Sequence, residues 1–316
     1  MVVIITLEKA IDGFMIDQKL KGNTDNTIHT YKLILGYFST YLGSETLVNN
    51  IAPMDIKKYQ LFLADKDKQF NFETNLKAKL SKTTIQSYVR HIRSFMNWLF
   101  NEGYIENNIG SKIKLPKAPK KTVEILSDEE IKKLYKSINE RTEFGLRNKC
   151  IVSLMLDSGL RRNEAITIDV QNIHFTQNVI KVFGKGEKER IVPMGLYTKK
   201  LLYKYLNGYR PMPEYPTDRV FISQEKNPVS IDVIKMLFYR LKRKTGIKRL
   251  SPHLLRHTFA TRYLINGGDA FSLQLILGHT SLEMTRRYSH IASSYTVKNF
   301  KSLSTLDRLR GQNVRL

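Results

Sequence analysis

The chain has 316 residues, enough for two domains of ordinary size, each burying its own core. It is 41% hydrophobic, as a globular fold needs, yet nothing approaches the ~18 uninterrupted apolar residues of a membrane span, and its one cysteine, Cys150, excludes an internal disulfide or a cysteine-based zinc site within one chain. Lys and Arg number 52 against 29 Asp and Glu, and a net charge of +23 in a folded protein points first to a polyanionic partner, nucleic acid above all.

The opening Met1-Val2-Val3-Ile4-Ile5-Thr6 is apolar but short, lacks a basic lead and runs into Leu7-Glu8-Lys9, so it makes a poor signal peptide. A cytoplasmic, nucleoid-associated protein is expected. From there the first third reads as helices separated by polar turns. Leu7, Ile11, Phe14 and Met15 share one apolar face; Ile28, Tyr31, Ile34, Leu35, Phe38 and Leu42 share a longer one. Ile56, Tyr59 and Leu63 follow Pro53 at a helix start, and a fourth helix opens at Ser81 and runs through Ile85, Val89, Ile92, Phe95 and Leu99 to Gly103. Together these predict a four-helix bundle over residues 1–110, with Lys82, Arg90 and Arg93 on an exposed side that either meets phosphates or is simply solvated.

Between residues 111 and 122 periodicity fails, with two prolines and five lysines in Ser-Lys-Ile-Lys-Leu-Pro-Lys-Ala-Pro-Lys-Lys-Thr. This is the expected linker, whose Lys117, Lys120 and Lys121 suit a DNA backbone, the alternative being a solvated tether. A second domain is expected over 123–316, announced by the capping box Ser127-Asp128-Glu129-Glu130 ahead of Ile131, Leu134, Tyr135 and Ile138. Within it, Asn178–Phe183 and Arg190–Pro193 flank Gly184-Lys185-Gly186-Glu187-Lys188, a β-hairpin with a lysine at its tip. Helices are predicted at about 198–208, 230–245, 252–266, 271–277 and 281–288.

Three motifs carry chemistry. In Ser158-Gly159-Leu160-Arg161-Arg162-Asn163-Glu164 a glycine C-cap leaves Arg161 at a joint, where its planar fork can hold two phosphate oxygens and Glu164 can steady it; a structural ion pair would read the same. Ser251-Pro252-His253-Leu254-Leu255-Arg256-His257 starts a helix and sets His253 and Arg256 on one face of its first turns, a ready phosphate site with a titratable imidazole. The neighbouring His257 is expected to pack behind them. Leu277-Gly278-His279 and then Tyr288, in the basic run Thr285-Arg286-Arg287-Tyr288, complete the set.

The ordered series Gly-Leu-Arg161, Lys185 in its Gly-Lys-Gly turn, His253-Leu-Leu-Arg256-His257, Leu-Gly-His279 and Tyr288 resembles the tyrosine recombinase (phage integrase) family, its Xer-like members most, over residues 7 to 295. The resemblance implies a mainly α fold: a SAM-like core-binding bundle followed by a mixed α/β catalytic domain with a small sheet or hairpin. It implies that Tyr288 attacks a scissile phosphate to give a 3′-phosphotyrosyl bond and a free 5′-hydroxyl. Arg161 and Arg256 would clamp the non-bridging oxygens, His253 would assist proton transfer at the tyrosine, His279 would donate to the phosphate and Lys185 would protonate the leaving oxygen. Neither metal nor ATP would be required. Implied partners are double-stranded DNA with inverted-repeat core sites and further copies of the chain, a dimer per site and a tetramer in synapse, with room for accessory proteins.

The first bundle already starts near residue 7, so an additional N-terminal arm-binding domain is not expected, and a tail over 291–316 with Ile291, Tyr295, Val297, Phe300, Leu303 and Leu306 at helical spacing would be exchanged with a neighbouring subunit or pack on its own domain. Rival readings are a type IB topoisomerase, a DNA-binding protein that has lost catalysis, and a basic RNA-binding protein. Among recombination tasks, movement of a mobile element is preferred slightly over resolution of chromosome dimers.

Overall fold

The computed structural model describes residues 4–66, 79–117, 124–184, 189–278 and Tyr288. The chain divides into two compact units, Met1–Lys121 and Thr122–Leu316.

The first unit is built on α1 (Leu7–Leu20), α2 (Asp25–Leu42), α3 (Pro53–Asp65) and α4 (Lys82–Asn101). Thr6, Thr24 and Ser81 cap three of these helices by accepting from a backbone N–H three residues on, and Pro53 opens the other with the φ that a first helical turn needs. Helical spacing brings Phe14 of α1 against Phe95 and Trp98 of α4, each with ring centroids at 5.4 Å in edge-on geometry. Phe14 is buried, so its truncation to alanine would cost about 3–5 kcal/mol.

The first unit extends further along the chain than the sequence suggested. A short α5 (Ile109–Lys112) packs on α4, with Gly110 so close that a Cβ there would meet Asn97 Oδ1 at 2.1 Å. Ile113 is buried in the bundle core, Leu115 packs against it, and the Pro116 carbonyl accepts a hydrogen bond from Gln86 Nε2 at 2.9 Å. Residues 111–116, expected as the start of a linker, therefore belong to the bundle's packing. The helical pattern stops because apolar Ile113 and Leu115 alternate with Lys112 and Lys114, the two-residue period of an extended segment with one side on a core. Lys82, Arg90 and Lys117 are exposed and Arg93 is half-buried; Lys120 and Lys121 lie outside the described residues.

The second unit opens with α6 (Asp128–Lys136), whose capping box is formed as Ser127 accepts from Glu130 N and Glu130 accepts from Ser127 N. α7 (Glu143–Asp157) is its central helix, buried from Leu146 to Met155 with Asn148 alone less enclosed, as a helix surrounded by others must be. After α8 (Arg162–Ile166) come β1 (Ile173–His174), β2 (Val179–Phe183) and β3 (Glu189–Pro193) in an antiparallel sheet of that order. Two of the strands form the expected hairpin, with Val182 opposite Arg190; β1, at two residues, is too short for alternation to reveal. Then follow α9 (Leu196–Gly208), α10 (Ile231–Thr245), α11 (Pro252–Ile265) and α12 (Ala270–Leu277). One core joins Leu154 of α7, Ile180 and Val192 of the sheet, Leu202 of α9, Leu237 of α10 and Leu255 of α11. The helix expected at about 281–288 and the tail over 291–316 fall outside the described residues except for Tyr288, which is helical. No described helix is long and apolar enough to cross a membrane.

Candidate active site

The site is assembled where α7 ends. Its last turn gives way at Ser158 to Gly159 at φ +65°, a left-handed conformation that a side chain would strain, and a Cβ there would also meet the Phe259 ring at 2.4 Å. That close approach lets α11 lie against the turn. Two residues on, Arg161 is the N-cap of α8, its backbone N–H donating to Glu164 Oε2 at 2.8 Å while its Nη1 donates to Oε1 at 2.8 Å. Its Nη2 reaches the Gly278 carbonyl at 3.3 Å.

Arg256 comes from the start of α11, where Ser251 caps the helix and Pro252 opens it. Its guanidinium is buried and donates to the carbonyls of Gly159 and Leu277, each at 2.7 Å. Burial first, then the nearby positive charge of Arg161, pushes its pKa down to about 10, still well above neutrality. Arg256 therefore carries its charge in a poorly solvated place, where an arriving anion gains more than it would in water. Tyr288 lies within electrostatic reach of the same guanidinium.

Glu164 is the negative centre of the group. Burial raises its pKa, but hydrogen bonds and charge from Arg190, with the backbone and side chain of Arg161, outweigh it and hold the carboxyl at about 2. Arg190 pairs with it in bidentate fashion, Nη1 to Oε1 at 2.9 Å and Nη2 to Oε2 at 2.8 Å, and its Nε donates to the Ile276 carbonyl at 2.8 Å. Arg256 stands 3.9 Å from the same carboxylate. Three guanidinium groups against one carboxylate leave two net positive charges, an arrangement suited to the two non-bridging oxygens of a phosphodiester.

His253 lies at the exposed edge of this group. Burial of its ring, then the positive charges of Arg162, Arg256 and Arg161, lower its pKa, so the neutral imidazole prevails at physiological pH and can accept a proton. The histidine hydrogen-bonded to the Tyr288 hydroxyl is a different one. His257 Nδ1 lies 2.7 Å from that oxygen, and the phenol ring is buried against Ala260, Leu273 and Leu277.

Of the residues singled out in the sequence, the structure gathers Arg161, Glu164, His253, Arg256, His257 and Tyr288 around the α7–α8 turn, α11 and the end of α12. Lys185 and His279 lie outside the described residues. Arg190 was not anticipated. Strand parity could have found it, because Val192 faces the core and Arg190, two residues earlier, must share that face. Among the described residues no group of three or more His, Cys, Asp or Glu is placed to hold a metal ion.

A helical bundle joined to a mixed domain with this arginine-rich site is the organisation of the tyrosine recombinases, and the chain belongs to the phage integrase family. Residues 124–294 match that family and residues 7–115 match the phage integrase SAM-like domain. The chain is 31% identical over 296 residues to the tyrosine recombinase XerD of Oceanobacillus iheyensis, covering 91% of this chain and 95% of that protein. It is 29% identical over 278 residues to XerD of Listeria monocytogenes serotype 4b, covering 86% of this chain and 90% of the relative. In fold it is similar to the integrase of the Tn1549 transposon in complex with a circular intermediate DNA, at a TM-score of 0.76 and 18% identity over 95% of this chain and 100% of that one.

Proposed function

We propose that this chain is a site-specific DNA recombinase that cleaves and rejoins strands through a covalent bond between Tyr288 and a DNA 3′-phosphate. The observation that carries the reading is the convergence of Arg161 and Arg256 on one buried carboxylate, with Tyr288 in the electrostatic field of Arg256.

The Tyr288 oxygen attacks phosphorus and the 5′ oxygen leaves; one phosphate ester replaces another, so the later attack by a 5′-hydroxyl reseals the strand without an outside energy source. A phenol with an ordinary pKa of about 10 must lose its proton as it attacks. Neutral His253 is the acceptor we assign. Arg161 and Arg256 hold the non-bridging oxygens and offset charge as it builds, a contribution worth about 100- to 1000-fold in rate for each such donor. His279 donates to the phosphate and Lys185 supplies the proton to the leaving oxygen. These roles rest on the positions that match the family motifs. The partner is double-stranded DNA bearing an inverted-repeat core site, bound by a dimer at each site and by a tetramer at synapsis, with the bundle of residues 1–110 and the lysines near the interdomain segment supplying backbone contacts.

The test is cleavage of DNA nicked near the scissile phosphate, which lets the short strand diffuse away and traps the adduct, run in EDTA and without ATP on wild type and Tyr288→Phe. A denaturant-resistant protein–DNA adduct from wild type alone is expected. An equal adduct from Tyr288→Phe, or none on DNA that the protein binds specifically, overturns the reading.

A further inference from the structure

Arg190 belongs to none of the motifs that identify the site, yet it joins three of the segments that build it. It stands on β3 opposite Val182, in the hairpin whose two strands flank Lys185 in the sequence. Its two Nη atoms close on Glu164 of α8, and its Nε takes the carbonyl of Ile276 in the last turn of α12. Gly278 follows at φ +61°, and a Cβ there would fall 3.1 Å from Arg190 Cδ, so the guanidinium lies directly against the turn that leads into His279.

The charge arrangement gives that placement a consequence. Glu164 is buried and can accept from both Arg161 and Arg190. With Arg190 present, Arg161 needs to give the carboxylate only one Nη donor and its own backbone N–H, and its Nη2 remains on the open side, 3.3 Å from the Gly278 carbonyl. Without Arg190, a buried carboxylate would be left with Arg161 as its main neutralising partner, and bidentate pairing would draw that fork away from a substrate.

We propose that Arg190 is a positioning residue for strand cleavage, neutralising Glu164 so that Arg161 stays available to phosphate and tying the β2–β3 hairpin to the end of α12. The inference rests on the recombinase reading above. Arg190 does not touch the reacting atoms; it acts through Arg161 and through the two segments it ties together. Lysine cannot replace it, since a single ammonium cannot hold both carboxylate oxygens and the Ile276 carbonyl in one plane.

The experiment measures adduct formation on the nicked substrate and specific DNA affinity for wild type, Arg190→Ala, Arg190→Lys and the double variant Arg190→Ala/Glu164→Gln, with thermal melting of each. We expect wild-type affinity within a few-fold, cleavage slowed about 100-fold in both single variants, as for a displaced catalytic group, and at least a tenfold recovery in the double variant, where no buried carboxylate competes for Arg161. Purely structural support would not give that recovery. Single variants that cleave at the wild-type rate overturn the proposal, as does a double variant no faster than Arg190→Ala while melting at the same temperature. A wild type that forms no adduct would count against the recombinase reading instead, so the two failures are distinguishable.

Discussion

His257 Nδ1 and the Tyr288 hydroxyl are 2.7 Å apart, and the phenol ring behind that bond is only 3% exposed. Either histidine tautomer sustains the contact, because a phenol can donate or accept. With the ring so enclosed, Tyr288 is expected to move outward before it attacks a phosphodiester. Replacing His257 with alanine removes one anchor of the resting position, at about 1 kcal/mol for a hydrogen bond. The expected result is faster acetylation of Tyr288 in the DNA-free variant than in wild type, read by peptide mass spectrometry. Equal protection in the two proteins would show that the His257 contact is not what retains the ring.

Glu164 makes the site acid-sensitive. Its carboxyl is held at about 2 against an ordinary 4.5, so the folded state binds this proton less readily than the unfolded chain does. The stabilisation is fully present above the unfolded value, declines as pH falls from there toward the folded one, and amounts to on the order of 3 kcal/mol. Glu164→Gln should therefore melt below wild type at pH 7, with the gap narrowing between pH 5 and pH 3. A gap that stays constant through that window would mean that the carboxylate's charge is not the source of the stability.

The helices of the bundle and the local elements that carry Arg161 and Arg256 were legible in the sequence because each leaves a local signature: the faces of Phe14 and Phe95, the caps Ser127 and Ser251, the glycine before Arg161. What escaped was non-local. Ile113 and Leu115 read as linker because two apolar residues among lysines say nothing about the helix they will meet. Arg190 read as one more basic residue in a charged hairpin, since its meaning lies in Glu164, 26 residues away, and in the Ile276 carbonyl, 86 away. His257 read as packing because adjacency to Arg256 could not reveal which histidine would face Tyr288.

Two glycines separate backbone necessity from accident. Gly159→Ala puts a Cβ 2.4 Å from the Phe259 ring at φ +65°, combining a left-handed penalty of about 1–2 kcal/mol with overpacking of about 1–3 kcal/mol. Gly36→Ala lies within α2, with nothing inside 4 Å of its new Cβ, and should stabilise by about 0.5–1 kcal/mol through helix propensity alone. Urea unfolding of both variants checks this. A Gly159→Ala protein as stable as wild type would mean that α11 can retreat from the turn, and cleavage should then fall because Arg256 rides on that helix.

The basic side of the bundle makes its own prediction about salt. Lys82 and Arg90 are both exposed on α4, and among the described residues neither is engaged in an ion pair, so both are available to a DNA backbone. Each phosphate contact releases condensed counterions, and the logarithm of the binding constant falls with the logarithm of salt by about 0.9 per contact. If both residues meet phosphates, Lys82→Ala/Arg90→Ala should lower that slope by nearly two while leaving the preference for one site over another unchanged, since backbone contacts carry no sequence information. An unchanged slope would assign them to solvent. A lost preference at an unchanged slope would instead place them against base edges, where an arginine reads guanine through its paired acceptors.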